Sequence, residues 1–198
     1  MHGTIETIFR VEWRPIIELQ CHVLEWRRLA QRAAEPNVFY EPSFALAAAD
    51  VFGRNVRAGL VWSRTAPERL LGFFPARIER RRYGFPLAVL VGWTHPYAPL
   101  GLPLVDPGCS EAVIDAWLEH VQSDVRLPKL MLLPYLPAEG RAAAIDAVVT
   151  AGAHTTPRTP ALCLRLAASA RATSNGQSTE RSARSCGGNA IGSLTGAA

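Results

Sequence analysis

The amino-acid sequence predicts an α/β domain of the layered α+β kind, with a mixed, mostly antiparallel sheet flanked by helices. Three observations lead there. Hydrophobic residues make up 48% of the 198-residue chain and charged residues 19%, the balance of a folded globular protein. Short apolar runs rich in Val, Leu, Phe and Trp alternate with longer stretches whose apolar residues recur every three or four positions. Turn-forming Gly, Pro and Asp stand between them, so strands and helices follow one another along a single chain.

In chain order, residues 4–13 alternate loosely, with Ile8, Val11 and Trp13 apolar, and read as a first strand. Pro15 suits a first helical turn. Ile16, Leu19, Val23, Trp26, Leu29 and Ala30 then recur at helical spacing, predicting one long amphipathic helix that ends before Pro36. EPSFALAAADVFG predicts a short second helix begun near Pro42 and stopped by Gly53. VRAGLVWS (56–63), RLLGFFPARIERR (69–81) and PLAVLVGW (86–93) are three strands separated by turn residues, the pattern of an antiparallel meander. Ser110 has the chemistry of an N-cap for SEAVIDAWLEHVQSD, in which Val113, Ile114, Trp117, Leu118 and Val121 share one face. A buried strand KLMLLPYL, an alanine-rich helix over 138–151 and a last strand PALCLRL complete a body spanning 1–166. From 167 to 198 the large aliphatics are Ile191 and Leu194 and there is no aromatic, so this stretch cannot offset the entropy of ordering it and reads as a disordered tail.

The formal charge of +4 includes Arg171, Arg181 and Arg184 of that tail, so the basic balance does not imply a nucleic-acid partner. Cys21, Cys109, Cys163 and Cys186 are widely spread and follow no secretory leader, which points to a reducing cytoplasm. The longest apolar run, 87–93, is far too short to span a bilayer.

Chemistry concentrates in WTHPYAPLGLPLVD (93–106), where Trp93, His95, Tyr97 and Asp106 share one proline-rich loop at the end of a strand. Two readings stand side by side: a cleft wall that contacts substrate, or a stiff loop whose aromatics cap the core. His95 has the chemistry of a general base, yet no nucleophile or partner carboxylate is identifiable beside it, and the catalytic residues stay unassigned. RIERRRYG places Arg77, Arg80, Arg81 and Arg82 on a hairpin, either to dock a phosphate or acidic polymer or to blunt an exposed strand edge. His22, His120 and His154 show no ligand spacing with the cysteines, so no metal site is expected. CGGNAIG follows no strand and is not a nucleotide loop.

The order of elements is that of the GNAT acyltransferase fold. LEWRRLAQRAAEPNVFYEPSFALAAADVFG, VRAGLVWS, LLGFFPARIERRRYGFPLAVLVGWTHPYAPLGLPLVD and LMLLPYLPAEG together resemble the amino-terminal half of the CelD/BcsL-like acetyltransferases, also described as BioF2-like or FemAB-related GNAT proteins. The resemblance runs from Trp26 to about Leu166. It implies two GNAT-like domains, with transfer of an acyl group from acetyl-CoA or another acyl-CoA to an amine assigned to the second. It also implies an envelope or exopolysaccharide setting and a small-molecule or glycan-related amine acceptor. The family's pyrophosphate turn is R/Q-x-x-G-x-G/A; here GWTHPYAPLGLPLVDPGCSEA keeps Gly101 and Gly108, but Pro99, Pro103 and Pro107 remove donors, so no cofactor is expected on this domain. ERSARSCGGNAIGSLTGA, back-translated with G- and C-rich codons and read one base out of phase, becomes ALGAKLRRQRNRLADRG, similar to the basic helix that precedes the second domain in that family. The expectation is a truncated amino-terminal domain with a frameshifted tail, missing its carboxy-terminal GNAT domain and inactive alone. The alternative is a non-catalytic ligand- or protein-binding module with a flexible tail.

Overall fold

Strand β2 (Val56–Ser63) is apolar on both faces, and that decides the layering. Val56, Ala58, Leu60 and Trp62 pack to one side, while Gly59 and Val61 turn to the other, so helices must cover the sheet twice. The computed structural model describes residues 8–82, 84–135, 154–155 and 161–165, the last two segments by their backbone alone.

β1 (Phe9–Pro15), β2, β3 (Leu70–Glu79) and β4 (Val89–Gly92) pair antiparallel in sequence order, so the predicted meander is present with one more strand at its edge. β5 (Leu104–Val105) pairs with Gly72 and Phe73 of β3, beside the stretch that β4 occupies. β6 (Leu130–Pro134) runs parallel to β4, and β8 (Ala161–Arg165) and β7 (His154–Thr155) follow antiparallel. Among the described residues this is one eight-stranded sheet of order β1-β2-β3-β4-β6-β8-β7, with β5 off that path.

A 3₁₀-helix (Ile16–His22), α1 (Val23–Arg32) and α2 (Pro42–Phe52) cover one face, burying Ile16, Leu19, Trp26 and Leu29 on Leu60, Leu70 and Phe73. α3 (Ser110–Ser123) covers the other through Val113, Ile114, Trp117 and Val121. It lies close because two strand positions carry no side chain. A Cβ at Gly59 would stand 2.3 Å from the Trp117 ring, and one at Gly72 would stand 2.6 Å from Val113. A bulge after Val61 adds Leu71 to β3 and brings it to the α3 side.

Where sequence and structure differ, the causes are local. The predicted long helix is a 3₁₀-helix followed by α1, because Ile16 and Leu19 are buried three apart, the 3₁₀ repeat, before Trp26, Leu29 and Ala30 take up α spacing. Pro15 closes β1 and stands in the N-cap position, one residue before the helix. Ser110 is the first helical residue rather than the cap; Cys109 holds the cap position, and Ser110 Oγ donates to the carbonyl of Asp106 at 2.8 Å. The third meander strand is shorter than expected, since 84–88 are exposed and unpaired by β3. β5, β7 and a 3₁₀ turn at Val38–Tyr40 were not expected. The alanine-rich helix over 138–151, and the tail, lie outside the described residues. Among the described residues no helix is long and apolar enough to cross a membrane.

The contact of Gly59 with Trp117 yields a direct expectation. Gly59→Val forces Trp117 off the sheet and should lower unfolding free energy by about 2–3 kcal/mol, the usual cost of overpacking, measured by urea denaturation.

Candidate functional site

The segment 93–109, which returns from β4 to α3, is held from beneath by the connection between α1 and α2. Asn37, only 2% exposed, donates through Nδ2 to the carbonyls of Leu102 at 2.8 Å and Leu100 at 3.3 Å. Its Oδ1 accepts from the Phe39 N–H at 3.1 Å. Tyr40 Oη donates to the carbonyl of Trp93 at 2.6 Å, and complete burial pushes its pKa up, so it stays a protonated donor. Trp26 Nε1 donates to the carbonyl of Tyr40, and Ala34 N–H to that of Val105, both at 2.8 Å. A proline-rich stretch, short of its own N–H donors, is thus fixed chiefly through its carbonyls.

Trp93, His95 and Tyr97 come together; Asp106 does not join them. Trp93 is 1% exposed and sits in the core between Tyr40 and His95, its Nε1 donating to the carbonyl of Phe52 at 3.2 Å. The His95 ring lies parallel to Phe52 at 4.5 Å between centroids and to Phe44 at 6.2 Å. Tyr97 is 71% exposed, with its ring 5.8 Å from Phe52. A tight turn makes this arrangement, since His95 and Ala98 exchange backbone hydrogen bonds of 3.2 and 2.9 Å. The turn leaves one ring inside, one half-covered and one in water.

His95 Nδ1 accepts from the Tyr97 N–H at 3.4 Å, which places the proton of the neutral ring on Nε2. Nε2 is shielded from solvent and meets no partner among the described residues. Burial lowers the pKa of His95 below its ordinary 6.5. The ring is therefore neutral at physiological pH and surrounded by other rings. Such a surface can stack a planar or apolar group and offer it one N–H donor, which is binding chemistry rather than an acid–base pair.

Asp106 stands just before α3. Arg32 Nε donates to its Oδ2 at 2.6 Å, the Gly108 N–H to its Oδ1 at 3.1 Å, and the Cys109 N–H to its backbone carbonyl at 3.3 Å. Arg32 also donates to the carbonyl of Leu70 at 2.6 Å. One carboxylate thereby ties α1, β3 and the start of α3, and places a negative charge beside the positive end of that helix.

Between β4 and β6 the returning segment closes the sheet. A Cβ at Gly101 would lie 2.3 Å from the Pro134 carbonyl oxygen, and one at Gly92 would lie 3.2 Å from the Pro134 ring. What remains is an apolar cavity of about 20 Å³ among Phe74, Gly92, Gly101, Trp117 and Met131, room for about one water. A wider depression of about 390 Å³ lies between α1 and residues 67–69, lined by Arg28 and Arg32, which are paired with Glu25 and Asp106, and by Glu68 and Arg69. On the arginine hairpin, Arg77 and Arg82 both bind Glu79, whereas Arg80 and Arg81 are exposed. Among the described residues no group of His, Cys, Asp and Glu could hold a metal ion.

No family model and no curated protein matches this sequence. Solved structures do. A protein assigned to the GNAT acetyltransferase family from Desulfovibrio desulfuricans shares 15% identity, covering 80% of this chain and 99% of that one, with a TM-score of 0.52. AtaTR bound with AcCoA shares 12% identity over 79% of this chain and 92% of its own, with a TM-score of 0.47. The KacTA–DNA complex matches at 12% identity, 78% and 92% coverage, and a TM-score of 0.39. The first of these carries the assignment: the chain has the GNAT fold, a mixed sheet flanked by helices.

Burial of His95 has a consequence for stability against pH. The folded ring binds its proton less readily than the unfolded one, and His22 and His120 are shifted the same way, chiefly by burial. The stabilisation is complete above about 6.5 and is lost as pH falls below that value toward the folded pKa. His95→Phe keeps the stack without the titrating nitrogen, so the loss of urea midpoint between neutral and mildly acidic pH should shrink; an unchanged loss would place the titration elsewhere.

Proposed function

We propose that this chain is the amino-terminal domain of a two-domain GNAT-type N-acyltransferase of the CelD/BcsL-like, FemAB-related kind, and that by itself it binds no acyl-CoA. The observation that carries the second half is Asp106. In the GNAT-type site a pyrophosphate sits on free N–H groups of a glycine turn at a helix N-terminus. Here the corresponding position before α3 already has a carboxylate, with the Gly108 and Cys109 N–H groups spent on the same residue. A pyrophosphate there would meet like charge and lack those donors. Gly101 also packs closely on the Pro134 carbonyl at the end of β6. On this reading the residues around Asp106 do not fit the cofactor, and no transfer step is derived through it on this domain.

On this reading the acyl-CoA half lies in a second domain, and the tail is its coding region read out of phase. This domain contributes the surface of Trp93, His95 and Tyr97 as a wall toward an amine acceptor, a small molecule or a glycan-related amine, in the cytoplasm. A second reading draws on Tyr97, whose 71% exposure beside His95 and Phe52 suits a non-catalytic module that binds a ligand or protein through this loop.

Titration calorimetry separates the two. Acetyl-CoA added to this chain should give no binding heat, and a version extended in the frame that opens within the Glu180 codon should bind it. Micromolar binding by the chain as it stands would overturn the assignment of its strand–helix turn, and an extended version without affinity would favour the module.

A further inference from the structure

We propose that the hairpin between β3 and β4, through Arg80, Arg81, Phe85 and Leu87, is a peripheral anchor for an anionic lipid surface. Regular pairing of β3 with β4 stops at Glu79 and Val89. Beyond it the hairpin is closed by a single bridge, Arg82 and Phe85 exchanging backbone hydrogen bonds of 3.0 Å in each direction. Gly84 takes the left-handed conformation the turn needs, with φ of +82°, and a Cβ placed there would meet nothing within 4 Å. The space around Gly84 is therefore open. Phe85 is 68% exposed and Leu87 48%, and the Leu87 N–H bonds to the Phe85 carbonyl at 2.8 Å, so a hydrogen-bonded turn presents both.

Charge is arranged around these two side chains. Glu79 is engaged by Arg77 and by Arg82, which spends the carboxylate nearest the hairpin. Arg80 and Arg81 are exposed and meet no carboxylate among the described residues. The tip thus combines two exposed guanidinium groups with two large apolar side chains.

That combination selects its occupant. A hairpin tip taken alone is small beside the roughly 800 Å² per partner of a standard protein interface. A bilayer surface requires no complementary shape. Phe85 and Leu87 can enter the boundary between headgroups and acyl chains while Arg80 and Arg81 meet lipid phosphates within the Debye distance of about 10 Å. A polyanion in solution would use the arginines and leave Leu87 in water.

Co-sedimentation of the full chain with vesicles tests this. The chain should bind phosphatidylcholine vesicles containing about a third phosphatidylglycerol, bind pure phosphatidylcholine weakly, and release with salt. Arg80→Glu with Arg81→Glu should weaken binding at least about tenfold, and Phe85→Ser with Leu87→Ser should weaken it comparably, each with unchanged circular dichroism. No binding to the anionic vesicles overturns the proposal. So does loss with the arginine variant alone, which would reduce the tip to a charge contact that makes no use of Phe85 and Leu87, and so does binding that neither variant changes.

Discussion

The buried amide of Asn37, donating to the carbonyls of Leu100 and Leu102, is the constraint on which the rest of the site depends. These carbonyls belong to a segment with prolines at 96, 99, 103 and 107, which has few N–H groups with which to build its own ladder. Donors must come from outside it, and Asn37 and Tyr40 supply them from the connection between α1 and α2. Held in this way, Gly101 reaches Pro134, Leu104 and Val105 pair with β3, and Asp106 meets Arg32. α3 then starts where Trp117 can settle on Gly59.

Much of this fold was legible because burial has a period. Trp26 and Leu29 on one helix, and Val113, Trp117 and Val121 on another, mark their buried faces by spacing alone, and the meander follows from apolar runs cut by turns. The returning segment carries no such period. Trp93 and Tyr97 are both aromatic and four residues apart, and only the His95–Ala98 turn sends one into the core and the other into water. Asp106 finds Arg32 across 74 positions of sequence, and Asn37 finds Leu102 across 65; long-range pairs of that kind leave no local trace. A lone asparagine after a proline reads as a loop residue, and the stack of His95 on Phe52 depends on how α2 docks.

The GNAT fold here shows how one architecture separates shape from chemistry. The parallel pair β4 and β6, with a helix delivered between them in sequence, sets the stage on which a helix N-terminus could receive an anion. In this chain an internal anion stands there. Asp106 is covalently positioned and so loses far less freedom than a bound ligand would, and Arg32 holds it by an ion pair.

Amide hydrogen exchange at Trp93 and Asp106 tests that claim most directly, because their N–H groups bond to the carbonyls of Pro75 and Leu71 on β3, both at 2.9 Å. If the segment is a locked part of the sheet, these amides exchange as slowly as those between β2 and β3, and acetyl-CoA leaves them unchanged. Rapid exchange that slows on adding acetyl-CoA would mean that the segment is an open cofactor loop, and would contradict the account.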